Sequence, residues 1–216
     1  MARRKKTEAE HRREVIAVCR RLAELGLIGG AEGNVSVRLG PERILTTPSG
    51  ASKVRLTARE LLVTDSSGAR IAGRAKPSSE LAMHLAIYRS RPDVGAVVHA
   101  HPPSAVALTL AGFDLSAPLV PEAVTALGGG VPTASYQTPS TCQLAEAVVQ
   151  TLGRLDACLM ERHGAVSVGR GAWEALDRME TVERLAQIVL CARQLGASPA
   201  PLPPDEVATL LRLSGR

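Results

Sequence analysis

The sequence predicts an α/β or α+β domain built on one central sheet. Short segments alternating with period two come in small groups between segments with helical spacing. No internal repeat or low-complexity block interrupts them. With 216 residues, 45% of them hydrophobic, one sizeable core can be buried. A helical bundle or a sandwich would lack that mixture of periods. Aromatic side chains make up only 2%, so the core has to be assembled from Ala, Val, Leu and Ile.

The elements follow in order. Residues 8–27 place Val15, Val18, Cys19, Leu22 and Leu25 at helical spacing, and glycines end the helix. Val35 to Leu39 alternates as a half-buried strand, and a Gly-Pro turn leads to a second strand over 43–47. Thr57 is placed to cap a brief helical segment, Leu61-Leu62-Val63 reads as a strand, and Asp65-Ser66-Ser67-Gly68 is a turn by its chemistry. Ser78 or Ser79 suits the N-cap of a helix over 80–89, which Pro92-Asp93 breaks. An apolar strand over 95–101 runs into a helix opened by Pro102. Residues 112–130 read as a short strand and a helix stopped by Gly128-Gly129-Gly130. Then come a strand over 131–136, a helix from Thr138-Pro139 to about Leu152, strands over 157–161 and 165–168, and the longest helix, over 173–195. A Pro-rich linker (199–204) precedes a short last helix, so the expected organisation is a single domain over 1–216 with a disordered basic tail at 1–8.

Charge and cysteine usage narrow the function classes. The net charge is +5, but residues 1–21 hold eight basic and three acidic side chains and the remaining chain holds 18 of each sign. The basic excess is one N-terminal feature without interleaved aromatics, which reads as a solvated terminus and not as a nucleic-acid arm. Cys19, Cys142, Cys158 and Cys191 form no Cys-x-x-Cys pair and read as small hydrophobes. No apolar run could span a bilayer and no signal peptide is legible, so no membrane partner and a cytoplasmic location are expected.

The chemistry gathers between Lys76 and Pro102. His99 and His101, at i and i+2 on a strand, point to the same side. His163 lies at another strand end, and three histidines with an open fourth position make a catalytic zinc arrangement. Each histidine alone would more readily be a satisfied structural side chain; the His-Ala-His-Pro run with a distant His-Gly favours metal. His84 stays structural. Glu80 is the candidate general acid/base, although a first-turn glutamate is also favoured by the helix dipole. Gly33-Asn34, Ser49-Gly50 and Ser78-Ser79 are three donor-rich turns suited to phosphate, each also at home in an ordinary turn. No phosphate-binding loop of the nucleotide-hydrolase kind is present, which argues against ATP use.

Gly-Asn-Val-Ser (33–36), Thr-Pro-Ser-Gly (47–50), Pro-Ser-Ser-Glu (77–80), His-Ala-His-Pro (99–102) and His-Gly (163–164) occur in the order and spacing of the class II aldolase/adducin family. The chain resembles that family from the first helix to the long helix, and within it the zinc-dependent fuculose-1-phosphate aldolases. The resemblance implies a three-layer α/β/α fold with a central, mostly antiparallel sheet, assembled as a fourfold-symmetric homotetramer with interfacial sites. It implies Zn2+ on His99, His101 and His163, with Mn2+ or Co2+ accepted by the same ligands. Glu80 would transfer the proton. Gly33, Asn34, Ser49, Gly50, Ser78 and Ser79 would hold the phosphate of a small phosphorylated sugar, a ketose 1-phosphate cleaved through a zinc-stabilised enediolate to dihydroxyacetone phosphate and an aldehyde. Dehydration or decarboxylation of a sugar or sugar-acid phosphate is the alternative on the same scaffold. A non-catalytic adducin-like module would be expected to lack the zinc ligands, and all three are here.

One departure stands out. The fuculose enzymes carry a catalytic tyrosine just before the Gly-Gly segment, whereas this chain has Val120-Pro121-Glu122-Ala123-Val124. Glu122 thereby becomes a candidate second catalytic or substrate-sorting group. Tyr88 and Tyr136, the only tyrosines, read as structural. Epimerase relatives carry an aspartate at the position of Glu80 and a longer C-terminal region, which counts against epimerisation.

Overall fold

A computed structural model describes residues 6–215. Among them, eight strands form one sheet in the order β4-β3-β2-β1-β5-β8-β7-β6. The central strands are β1 (Asn34–Gly40), β5 (Ala96–Ala100) and β8 (Gly164–Gly169). On one side lie β2 (Arg43–Thr46), β3 (Leu62–Thr64) and β4 (Arg70–Ala72), and on the other β7 (Ala157–Met160) and β6 (Thr133–Ala134). All neighbours pair antiparallel except β6 and β7. The mostly antiparallel sheet is as expected.

Period-two alternation sorts the strand residues between two cores. Val35, Val37, Ala96, Val98 and Ala165 belong to the core shared with α1 (Glu8–Glu24), α3 (Pro103–Leu110), α4 (Pro121–Leu127) and α6 (Ala172–Gln194). Ile44, Val97, Val166 and Val168 pack against α2 (Leu81–Ser90) and α5 (Cys142–Leu152). Helices on both faces of one sheet make the three layers. The last helix, α7 (Pro204–Leu213), packs on α4. No helix among the described residues is long and apolar enough to cross a membrane.

Boundaries shift where side-chain chemistry overrides periodicity. Most of the expected basic tail (1–5) lies outside the described residues, but Thr7 caps α1 in a reciprocal box with Glu10, and Lys6 reaches Glu14 at 2.7 Å. Thr57 and Glu60 close a single turn, not a helix. Strand β4, which is exposed throughout, has no apolar alternation by which to announce itself. Helix α5 begins four residues after Thr138, at Cys142, capped by Thr141, whose hydroxyl accepts from the Leu144 N–H. Helix α2 is capped neither by Ser78 nor by Ser79; Glu80 itself is the N-cap, and the Ser78 hydroxyl accepts from its N–H at 3.3 Å.

Candidate metal centre

His99 is the fourth residue of β5 and fully buried on the α2 face, while His101 follows just past the strand end on the same side. His163 sits in the turn between β7 and β8, after Arg162, whose φ of 59° is unusual for a residue with a side chain. The three rings converge, with centroids 4.9 to 5.1 Å apart. Gly164 makes the convergence possible. A Cβ there would lie 2.4 Å from the Ala100 carbonyl oxygen, 3.0 Å from His101 Cδ2 and 3.1 Å from His99 Cε1.

Glu80 closes the cluster. Its Oε2 is 3.1 Å from His99 Nε2, and its Oε1 is 3.3 Å from His163 Nε2. Burial pushes the Glu80 carboxyl up, but the hydrogen bond and charge of His99, the charge of His163 and the hydrogen bond from Asn34 outweigh it and bring the pKa to about 2. Burial, aided by the charges of His99 and His163, holds His101 at about 4, and burial with His99 lowers His163 as well. Near neutral pH the carboxylate is ionised and these two imidazoles are neutral, the forms that ligate metal.

The donor set fits a divalent ion. His99 Nδ1 lies 2.9 Å from the Ala165 carbonyl, which makes that nitrogen a donor, so Nε2, which shares a proton with Glu80 in the metal-free chain, is the nitrogen that would face a metal. His99 Nε2 and His101 Nε2 face each other at 3.1 Å, and one nitrogen from each ring falls within 4.8 Å of the others. Nitrogens about 2.0–2.1 Å from a tetrahedral ion stand about 3.3 Å apart, close to that spacing. Buried His163 Nδ1 has no hydrogen-bond partner among the described residues.

A run of polar contacts seats α2 against β1. Asn34, Ser36 and Arg38 alternate toward α2, while Glu80, His84 and Tyr88 succeed one another at every fourth residue. Asn34 Nδ2 donates to Glu80 Oε2 at 3.0 Å. The Ser36 hydroxyl lies 2.7 Å from His84 Nδ1 and 2.9 Å from the Tyr88 hydroxyl. Arg38 donates to the Tyr88 carbonyl at 2.8 Å and stacks its guanidinium over that ring. His84 and Tyr88 are thus structural. Tyr136 lies just past β6 and is 52% exposed, so it is not the strand residue expected.

The expected phosphate turns are laced together. Pro48 bridges Pro77, and the Ser49 N–H donates to the Lys76 carbonyl at 3.0 Å, which sets Ser49-Gly50 beside Ser78-Ser79. The Thr47 hydroxyl accepts from the Val35 N–H, joining 47–50 to 33–36. Gly33 has φ +65° and also permits a close approach, since a Cβ there would meet the His99 carbonyl oxygen at 2.8 Å. Asn34 is turned to Glu80, a partnership that the motif alone did not suggest but its position opposite His99 in the β1–β5 register could have. Ser49 and Gly50 line a cavity of about 820 Å³ with Ala51, Arg59 and Arg74. Glu122 is not brought to the histidines. It is exposed on the first turn of α4 and lines a separate cavity of about 340 Å³ with Leu25, Leu27, Asp177 and Glu180. The apolar strand ends that collected the histidines carry no signal for a surface helix.

Known proteins resemble the chain over most of its length. The family described as "Class II Aldolase and Adducin N-terminal domain" matches residues 13–190. An L-fuculose phosphate aldolase of Escherichia coli (strain K12) is 35% identical over 201 residues, covering 92% of this chain and 91% of the relative. A 3-oxo-tetronate 4-phosphate decarboxylase of Pectobacterium atrosepticum is 33% identical over 187 residues, covering 85% of each. The solved structure of an L-fuculose 1-phosphate aldolase superposes with a TM-score of 0.89 at 29% identity, over 96% of this chain and 97% of that one.

Proposed function

The chain belongs to the class II aldolase and adducin family, and from that premise we propose that it is a metal-dependent carbon–carbon lyase cleaving a ketose 1-phosphate to dihydroxyacetone phosphate and an aldehyde. The observation that carries this reading is the convergence of His99, His101 and His163 with the Glu80 carboxylate held against two of them. The three histidines would hold Zn2+, with Mn2+ or Co2+ accepted by the same ligands. A bound divalent ion supplies Lewis-acid stabilisation of the negative charge that develops on the substrate oxygens.

The remaining chemistry belongs to the chain. Glu80, ionised and hydrogen-bonded to Asn34, would accept a proton made available as the substrate hydroxyl becomes the aldehyde and pass it to the carbon that loses its bond. The adjoining turns with Gly33, Asn34, Ser49, Gly50, Ser78 and Ser79 anchor the phosphate and so orient the substrate without touching the bond that breaks. We further take the active form to be one domain per chain, gathered into a cytoplasmic homotetramer with sites at its interfaces, which light scattering in solution would test.

The absence of a tyrosine from 120–124, the segment where the fuculose enzymes have one, favours a second reading: a metal-dependent dehydratase or decarboxylase of a phosphorylated sugar or sugar acid. The similarity to the 3-oxo-tetronate 4-phosphate decarboxylase supports it. Incubating the metal-loaded chain with a panel of ketose 1-phosphates and sugar-acid phosphates separates the two. Dihydroxyacetone phosphate is the expected product; release of carbon dioxide, or a product retaining every carbon, would sink aldol cleavage.

A further inference from the structure

Lys53 is a buried cation that the proposed chemistry does not use. Only 2% of it is exposed, and no carboxylate among the described residues pairs with it. Its Nζ donates to the Ala31 and Ala51 carbonyls, both at 2.9 Å, and its backbone N–H donates to the Gly30 carbonyl. Ala31 precedes Gly33-Asn34 by two residues, and Ala51 directly follows Ser49-Gly50. The side chain therefore ties the loops bearing two of the three anion turns.

A buried ammonium is costly unless it is hydrogen-bonded and its charge is matched. Two carbonyl dipoles satisfy two of its three donors but bring no countercharge. Its neighbour Cys19 brings none either, because burial pushes that thiol up to about 12 and keeps it neutral. Burial also lowers the pKa of Lys53. An anion in the cradle would be the missing countercharge, and the charge behind the cradle would favour a doubly charged phosphate over a neutral group.

We propose that Lys53 is a positioning residue for the phosphate cradle, bracing the 29–34 and 49–51 loops through Ala31 and Ala51 and setting a fixed positive charge behind them. This rests on the phosphate reading of those turns. The test is calorimetric titration of inorganic phosphate into the zinc-loaded full chain, unsubstituted and as Lys53→Met and Lys53→Gln. Glutamine keeps N–H donors for the carbonyls and removes the charge, which also covers the case in which methionine does not fold. Phosphate affinity should fall about tenfold or more in both, as expected for removal of a unit charge from a partly desolvated site, with zinc affinity unchanged. Folded variants that bind phosphate as tightly as the unsubstituted chain would overturn the proposal and leave the cradle standing. An unsubstituted chain that binds no phosphate would overturn the cradle and the proposal together.

Discussion

Gly164→Ala adds one carbon at the most crowded point of the histidine cluster. That carbon would sit 2.4 Å from the Ala100 carbonyl oxygen, and carbon–oxygen contacts relax at about 3.3 Å, a deficit of about 0.9 Å. Ala100 and Gly164 lie on the paired strands β5 and β8, so either the strands part or the chain around His163 twists. The same carbon would press on the His101 and His99 rings at 3.0 and 3.1 Å. Overpacking of this kind costs about 1–3 kcal/mol of stability. Tilting one ligand ring should reduce zinc affinity by about 10–100-fold, the effect usual for disturbing groups that orient metal ligands. The assays are zinc titration against a competing chelator and urea unfolding, with Gly40→Ala as control because an added Cβ there meets nothing within 4 Å. A Gly164→Ala chain with unchanged zinc affinity and unfolding midpoint would refute the idea that this close approach shapes the site.

Glu80→Gln should keep zinc within about tenfold and lower turnover by about 10²–10⁴-fold, the range for a lost general acid/base; near-normal turnover would remove Glu80 from the chemistry. Glu183, buried in α6, accepts from the Ser104 and Ala105 N–H groups at the start of α3, just after His101. Glu183→Ala leaves those donors unsatisfied and should cost about 1–3 kcal/mol in urea unfolding, whereas no loss would mean that solvent replaces the carboxylate freely. Acid should destabilise the metal-free chain in steps. Burial, with the charge of His99, holds His84 at about 3, below its ordinary value of 6.5, so as pH falls below 6.5 the unfolded chain binds a proton that the folded one refuses. Stability should decline by about 1.4 kcal/mol per pH unit from this group down to about pH 3. Glu80, whose pKa is also lowered, adds its own loss only below about 4.5. His101 and His163, whose pKa values are lowered too, add to the same decline, so His84→Gln should make it shallower by about 1.4 kcal/mol per pH unit without abolishing it. An unchanged slope between pH 6 and 4 would show that His84 contributes nothing.

Much of this was legible because the responsible signals are local. Val35 and Val37 alternate with Asn34 and Ser36 along β1, and the sheet uses that alternation as written. His99 and His101 share a side for the same reason. The convergence of His163 on them is a long-range fact, evident in sequence only through the ordered motifs. What escaped had no local signature: β4 is solvent-exposed, and the N-cap of α2 is the glutamate and not the serines. Asn34 suits a phosphate turn and a carboxylate equally by its chemistry, and only the pairing of β1 with β5 decides that it meets Glu80.

The seat of α2 on β1 behaves as a vernier. A strand advances about 6.8 Å per two residues and a helix about 6 Å per four, so three graduations accumulate a mismatch of only about 1.6 Å. Asn34, Ser36 and Arg38 can therefore meet Glu80, His84 and Tyr88 together. Sliding the helix by one turn would strand buried polar groups at every mark, and a slip of one strand residue would turn all three away. The scale has one coincident setting, and Glu80 stands at its zero. Substitutions near Arg38 and Tyr88, at the far end of that scale, should be felt as misalignment of the carboxylate at the other.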